Sequence, residues 1–216
     1  LQPEKVFNVE AMMLYKWLNV SVGYKYLKDV MEWTKYIYPG KEFAYNTSLN
    51  FDHKQLLYAS VYISPKFGIF RPTWGFNYNQ QFFDTKKYGA SKALSKPLLS
   101  CSLNNNFALS ETMNAAIRLN ASTTHADGFL MMKSDYSVNL QFDKSFANRT
   151  WIIYLSANDI FKTAKERWTM YGLGAGTTKD CYNYTRCISL QVTYNFNAKR
   201  SKYKGTGAGN EEKSRL

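Results

Sequence analysis

The sequence contains no uninterrupted run of about 18 apolar residues, the length that a membrane-spanning helix requires. Its two histidines and three cysteines are too few and too scattered to suggest a zinc site. No serine, histidine and acidic residue stand in an arrangement typical of hydrolases. We therefore expect no catalytic, cofactor-binding or metal site, and we predict that the chain is not an enzyme.

Acidic residues are also scarce, with 16 Asp and Glu against 28 Lys and Arg, which gives a formal charge of +12. Such an excess first suggests nucleic acid, because phosphates are neutralised by Lys and Arg gathered on one surface. Many of these residues instead lie between alternating segments or in the last residues of the chain, as at Lys86, Lys87 and Lys162. That placement is typical of solvated loops, so our main interpretation includes no nucleic-acid partner.

Aromatic residues are abundant at 17% of the chain, including 17 Tyr, although the mean hydropathy is only −0.43. Apolar and polar residues alternate in many segments, which is the pattern of a strand with one apolar and one polar face. The clearest such strand is predicted over residues 187–196. Similar segments lie near residues 7–15, 20–26, 56–64, 74–82, 99–107, 115–121, 136–142 and 151–157.

The predicted connections are alternately short and long. We expect a long connection over 28–53, parts of which extend the flanking strands above the membrane, a turn over 65–72 and loops over 123–128 and 162–184. An antiparallel meander of this kind has tight turns at one end and loops at the other, as outer-membrane barrels have periplasmic turns and extracellular loops. Aromatic residues near the strand ends agree with the girdles of such barrels.

We therefore predict an all-β fold, an antiparallel up-and-down transmembrane β-barrel segment of about 8–10 strands, located in the outer membrane. Lipid does not tolerate unpaired strand edges, so we interpret residues 1–197 as the C-terminal strands of an incomplete barrel. Leu1 begins the sequence without an initiator Met or a signal peptide, and we treat the chain as a piece of a longer protein. Residues 198–216 are predicted to be a polar, basic periplasmic tail.

A soluble all-β module that binds glycans or nucleic acid through its basic loops is the alternative. A β-sandwich also has short strands at regular spacing. It offers no reason for loop lengths to alternate, however, and it would tolerate more charge on the exposed face of each strand.

Six polar residues are candidates for the lumen-facing side of the barrel. The two charged candidates, Glu10 and Arg118, either line a permeation path or pair with other residues of the wall or of a plug. The six candidates are Glu10, Arg118, Asn120, Asn139, Gln141 and Gln191. The sequence also leaves open whether Cys181 and Cys187 form a disulfide or remain two free thiols.

Several segments resemble the TonB-dependent receptor and outer-membrane β-barrel families of Gram-negative bacteria. Leu1, Pro3 and Glu4 are similar to the L-x-P-E before a late barrel strand, and residues 157–161 resemble the strand end "ANDIF". Residues 186–196 resemble the last strand, and residues 201–210 a terminal signature of one such barrel family.

This resemblance implies the C-terminal part of a roughly 22-stranded barrel that is energised through TonB and imports a nutrient such as a siderophore or a glycan. The implied partners are upstream strands and a plug domain of the same parent chain, the TonB complex, the barrel-assembly machinery and outer-membrane lipid. A passive pore is the alternative if no plug precedes these strands. The last strand also resembles an internal version of the C-terminal assembly signal, carried by Leu190, Val192, Tyr194 and Phe196.

Overall fold

The computed structural model describes residues 1–37, 40 and 42–196. The predicted tail over 198–216 lies outside these described residues. None of the described residues forms a helix long and apolar enough to cross a membrane.

Among the described residues, nine antiparallel strands form one open sheet in the order β1-β2-β3-β4-β5-β6-β9-β10-β13, which confirms the predicted meander. The strands are β1 (Lys5–Tyr15), β2 (Leu18–Ile37), β3 (Ala44–Ile63), β4 (Phe70–Phe82), β5 (Leu98–Ser110), β6 (Met113–Ser122), β9 (Asp135–Phe146), β10 (Trp151–Asn158) and β13 (Cys187–Tyr194). A second, four-stranded sheet has the order β12-β11-β8-β7. It consists of β7 (His125–Asp127), β8 (Leu130–Met132), β11 (Lys165–Tyr171) and β12 (Gly176–Tyr182).

The strand register keeps apolar residues beside apolar residues across the main sheet. One cross-strand row runs Ala11, Val22, Ala59, Tyr78 and Leu99 from β1 to β5. The opposite side carries polar rows, such as Ser60, Asn77, Ser100, Ser122 and Asp135. Because successive side chains of a strand point to opposite sides, the sheet has one apolar face and one polar face.

Aromatic rings gather at both ends of the apolar face. At the turn end, Phe70 and Phe107 stack at 5.1 Å, and Trp151 and Tyr194 lie 4.5 Å apart. At the loop end, Phe7 pairs with Tyr26 across β1 and β2. From Phe7 to Tyr15, β1 rises about 27 Å along its own axis. Tilted by about 35–45° as in a barrel, this segment spans about 19–22 Å across the membrane, slightly less than the usual apolar band of about 25 Å.

Two tyrosines on the polar face lie flat over glycines of the neighbouring strand. Tyr58 covers its cross-strand partner Gly23, and a Cβ added at Gly75 would meet Tyr62 Cε1 at 2.8 Å. The Tyr58 hydroxyl then donates a hydrogen bond to Asn8 Oδ1 over 2.9 Å. A ring packed over a glycine compensates for the missing side chain and holds the register of the two strands.

A methyl group at Gly23 should therefore destabilise the sheet. Gly23→Ala places its Cβ inside the Tyr58 ring, so the ring must leave the wall, at a cost of about 1–3 kcal/mol from overpacking. We expect the same change to cost little in a Tyr58→Val background, where the ring is absent. Urea titration of the full-length protein in lipid vesicles measures the free energy of unfolding of each variant. If Gly23→Ala lowered it equally in the wild-type and Tyr58→Val backgrounds, the contact would be contradicted.

The predicted loops are more structured than expected. The connection over 28–53 is mostly the extended β2–β3 ribbon, in agreement with the expectation that parts of it extend the flanking strands. The loop predicted over 123–128 contains β7, and the loop predicted over 162–184 contains β11 and β12. These short strands are held by long-range pairs such as Trp168 with Met132, which local alternation does not reveal.

The turn predicted over 65–72 is too long, because β4 already begins at Phe70 and includes Pro72 opposite Asn105 of β5. The pairing of β3 with β4 ends at Ile63 and Trp74. Pro72 therefore lies beyond the end of β3 and interrupts no β3–β4 hydrogen bond. Proline is tolerated at such positions because its missing N–H has no ladder partner there.

The largest hydrophobic core lies at the loop end of the sheet rather than within the wall. It contains Leu27, Val30, Phe51, Phe83 and Phe129, all at most 9% exposed. Leu27 and Val30 both enter this core although they are three residues apart in one strand. Asp29, with a φ of +54°, lies between them and shifts the alternation of side chains.

Candidate functional site

The long connections fold together at the loop end into a layer that we call the loop cap, residues 83–97, 123–134 and 159–186. Its Phe129 contacts Phe51 of β3 at 5.0 Å and Phe83 at 5.3 Å between ring centroids. Leu27 belongs to this core, and it lies on the same side of β2 as Ser21 and Lys25. The loop cap therefore covers the polar face of the sheet.

Gln81 joins two segments of the loop cap to β4. Its Nε2 donates to Leu94 O (2.8 Å) and Gly128 O (3.2 Å), while its Oε1 accepts a hydrogen bond from Gly128 N at 2.8 Å. The side chain is 3% exposed, so each of these bonds is shielded from water. One buried amide thus fixes both the β4–β5 and the β6–β9 connections.

A buried ion pair lies beside this amide. Lys54 Nζ is 2.6 Å from Glu32 Oε1, and Asp127 of the loop cap is 3.8 Å away. Burial raises the pKa of Glu32, and Lys54 acts in the opposite direction. The Lys54–Glu32 pair crosses the β2–β3 ribbon, and the contact of Lys54 with Asp127 joins this ribbon to the loop cap.

The β11–β12 hairpin is attached to the upper part of β2. Leu173 N donates to Lys35 O at 2.7 Å, and Tyr171 N donates to Phe129 O at 2.9 Å within the loop cap. Lys35 Nζ also donates to Thr177 Oγ1. The three long connections and the β2–β3 ribbon therefore form one packed unit.

Asp159 anchors the last connection where β10 ends, at the strand end that the sequence resemblance implied. It is 1% exposed, and its Oδ1 accepts from Thr163 N at 2.8 Å while its Oδ2 accepts from Thr185 Oγ1 at 2.8 Å. Its own N–H donates to Asn139 Oδ1 at 2.8 Å. Asp159 thus holds both ends of the β10–β13 connection against the wall.

Glu166 organises the outer side of the β11–β12 hairpin. Hydrogen bonds from Lys179 Nζ (2.6 Å), Trp168 Nε1 (3.0 Å) and Asn183 Nδ2 (3.2 Å) converge on its carboxylate. These donors, Lys179 first, lower the pKa of Glu166 from its usual 4.5 to about 2.

The depressed pKa predicts an acid-sensitive hairpin. A carboxyl with a lowered folded-state pKa stabilises the fold above its unfolded pKa, and this contribution is lost as the pH falls. We therefore expect amide protection in β11 and β12 to decrease between pH 4.5 and about 2. Hydrogen exchange, corrected for the intrinsic rate at each pH, measures this change. Glu166→Gln should remove this pH dependence of amide protection. If the variant kept the pH profile of the wild type, the assignment to Glu166 would be contradicted.

The six predicted lumen-facing residues all lie on the polar face. The register places Arg118 opposite both Asn104 and Asn139, and Asn120 opposite Ser102 and Ser137. Gln141 lies opposite Ala116 and Ser156. These four residues form one patch on β6 and β9. Glu10 on β1 and Gln191 on β13 lie at opposite edges of the sheet and are not brought together with them.

A groove of about 540 Å³ on the polar face was not predicted from the sequence. It is lined by Glu10, Lys25, Tyr58, Tyr62 and Asn79 among others. The period-two pattern places these residues on the polar side, but only the register shows that they converge. Ser21, Ser60, Ser100 and Asn77 also line it, so the surface offers one carboxylate, one ammonium, several hydroxyls and two amides.

The last strand presents its apolar residues as predicted. Leu190 pairs with Leu155, Val192 with Ile153 and Tyr194 with Trp151 on the apolar face. Phe196 is 81% exposed and contacts Tyr194 at 4.5 Å. Whether these four residues act as an assembly signal stays a prediction.

Cys181 and Cys187 are free thiols in the structure, each near an asparagine rather than near the other. Cys181 Sγ donates to Asn183 Oδ1 at 3.2 Å, and Asn158 Nδ2 donates to Cys187 Sγ at 3.4 Å. Across the described ranges, no three His, Cys, Asp or Glu residues gather as a metal site.

An open meander with an apolar outer band, aromatic girdles and a polar inner face defines the wall of an outer-membrane β-barrel. A family model described as "Outer membrane protein beta-barrel family" matches residues 1–194. The chain belongs to this family and lies in the outer membrane. The soluble alternative is therefore wrong, and we infer that the polar face lines the lumen.

Among solved structures, the chain is similar to OmpT (in-vitro folded), an outer membrane protein of Vibrio cholerae, with 11% identity and a TM-score of 0.49. The match covers 88% of this chain, which spans 55% of that structure's length. Comparison with curated proteins finds no match.

Proposed function

We propose that this chain is the C-terminal part of an outer-membrane transporter that imports a nutrient, a siderophore or a glycan for example, with energy supplied through TonB. The observation that carries this proposal is the loop cap, a packed layer with its own buried core on the lumenal face. A layer attached to β4 by Gln81 and to β3 by the contact of Lys54 with Asp127 would form a lid over part of the lumen. Such a lid suits a receptor that selects its ligand at the outer surface.

The two edges of the sheet support the proposed upstream partners. Along β1 and β13, no strand among the described residues pairs with the outer edge. Each unpaired backbone group within lipid costs several kcal/mol, so additional strands must close the ring. We propose that the parent chain supplies these strands together with a plug domain that contacts the lumenal patch around Arg118.

The remaining partners follow from the same proposal. The plug side would bind the TonB complex in the periplasm, and the barrel-assembly machinery would engage the last strand at Leu190, Val192, Tyr194 and Phe196. Outer-membrane lipid covers the apolar face. The proposed role involves no catalysis and no nucleic acid.

A passive pore is the second candidate, favoured by the lumenal rows of Ser and Asn. These residues, for example Ser60, Asn77 and Ser100, are small, uncharged and hydrated, as expected for a water-filled channel. A wide lumen lined in this way would conduct small solutes if no plug filled it.

Planar-bilayer conductance in KCl distinguishes the two candidates. The full-length protein should be closed, and deletion of the segment upstream of its barrel should open a large, steady conductance. The full-length protein should also bind the periplasmic domain of TonB in a pull-down. Steady conductance of the intact protein, without TonB binding, would overturn the transporter proposal in favour of the pore.

A further inference from the structure

The apolar face carries a row of basic residues at its loop end. Lys5 of β1 is the cross-strand partner of Lys28 of β2, which in turn is the partner of His53 of β3. Lys5 and Lys28 are both exposed. We call Lys5, Lys28 and His53 the basic row.

The basic row lies on the lipid-facing side, directly above the aromatic girdle. The next row of the same face lies two positions closer to the membrane centre on each strand and consists of Phe7, Tyr26 and Gln55. His53 stacks on Tyr26 with ring centroids 5.8 Å apart and an interplanar angle of 17°. Lys54 is the next residue along β3 and points the opposite way, into the loop cap.

In the part of the chain that the structure describes, Lys5 and Lys28 form no ion pair. His53 differs from them, because its Nδ1 lies 3.1 Å from Asp52 Oδ2, which is also 3.4 Å from Lys87 Nζ. Like charges directly opposite each other on a sheet are destabilising. An anion shared between Lys5 and Lys28 would remove this repulsion.

The face below the basic row contains a groove suited to a hydrocarbon chain. It has a volume of about 550 Å³, and its lining includes the small residues Ala59, Cys101 and Ala121 as well as the aromatic residues Phe76 and Tyr78. The groove lies on the same face as the basic row, and Ala59 follows His53 on β3 at about 20 Å along the strand. Charge at the membrane surface and an apolar channel deeper in the wall are thus present on one face.

We propose that the basic row binds the phosphate groups of a phosphorylated glycolipid in the outer leaflet of the membrane. The phosphates lie between Lys5, Lys28 and His53, at the level where headgroups meet the girdle. An acyl chain of the same lipid lies against Phe7 and Tyr26 and extends toward the groove. This site faces lipid, so it does not depend on the transport proposal above.

The test compares two pairs of lysines in the full-length protein. Lys5→Gln/Lys28→Gln removes the basic row, and Lys16→Gln/Lys144→Gln removes two lysines near the opposite, turn-end rim. Native mass spectrometry from detergent, with bisphosphorylated lipid A as the probe, measures the lipid-bound fraction. The heat-dependent shift of the folded barrel on SDS gels verifies that each variant is folded.

We expect Lys5→Gln/Lys28→Gln to weaken lipid binding about thirtyfold, because each lysine near an anionic headgroup contributes about a factor of five. Lys16→Gln/Lys144→Gln should bind as the wild type does, and Lys5→Arg/Lys28→Arg should retain binding. Inorganic phosphate at the same concentration should not displace the lipid. Unchanged binding by the Gln variant, equal loss in the control pair, or displacement by inorganic phosphate would overturn the proposal.

Discussion

Replacing Leu140 with lysine should destabilise the folded protein in the membrane by about 2–4 kcal/mol. Leu140 lies on the apolar face of β9, between its cross-strand partners Ile117 and Ala157, and is 41% exposed. A lysine there would place an ammonium near the middle of the hydrocarbon, too far from either headgroup region to reach water. Urea titration of the full-length protein in lipid vesicles measures the loss.

Ser137→Lys is the matched control, because it places the same side chain on the same strand but on the lumenal face. Ser137 lies opposite Asn120 in a polar row. We expect its free energy of unfolding to stay within about 0.5 kcal/mol of the wild type, as for most exposed substitutions. Equal destabilisation by the two lysines would mean that the two faces do not differ in environment, and the assignment of lipid and lumen would fail.

The wall could be predicted from the sequence because, in a barrel strand, each residue's environment determines whether that residue is apolar or polar. Ile188, Leu190 and Val192 must meet lipid and Ser189 and Gln191 must meet the lumen, so the period of two survives along β13. The same rule located all nine strands of the main sheet. Only the ends of the strands differ from the prediction. Pro72, for example, was expected in a turn but lies within β4, because it is beyond the last residue pair of β3 and β4.

The loop cap could not be predicted because no local pattern encodes it. Gln81 looks like one more polar residue in an alternating strand, yet its amide joins segments 13 and 47 residues away in sequence. The short strand β8 is defined by its pairing with β11, and three residues carry too little periodicity to be recognised alone. By alternation alone, Lys54 is one more charged residue on the polar side of β3. Its burial beside Glu32 and Asp127 depends on residues distant in the sequence.

For the six lumen-facing candidates, too, the sequence predicted the face of each residue but not its neighbours. Alternation was sufficient to choose the face of Arg118, Asn139 and Gln141, since it depends only on each residue's own strand. Their assembly into a patch required the pairing of β6 with β9 across an intervening loop. Edge residues such as Glu10 gain their neighbours on one side only, so strands of the parent chain would complete their surroundings.

Lys54→Met should loosen the loop cap by about 3–5 kcal/mol, the usual result of removing one partner of a buried ion pair. The Lys54 side chain is 8% exposed and that of Glu32 15%, so the carboxylate would stay buried without its cation. Burial already raises the pKa of Glu32. Without Lys54 the pKa rises further, so the loss should be smallest in acid, where Glu32 is protonated, and should grow as the pH increases.

Hydrogen exchange at Gly128 and Tyr171 measures this opening, because the Gly128 amide donates to Gln81 of β4 and the Tyr171 amide donates to Phe129 O within the loop cap. Lys87→Met is the matched control: its pair with Asp52 is exposed, with both side chains 55% accessible, and is worth at most about 1 kcal/mol. Glu32→Leu/Lys54→Met should restore much of the protection, since an apolar pair leaves no buried charge. If Lys54→Met exchanged as slowly as Lys87→Met, the ion pair would not hold the lid. The loop cap would then have to be held by its aromatic core and by Gln81 alone.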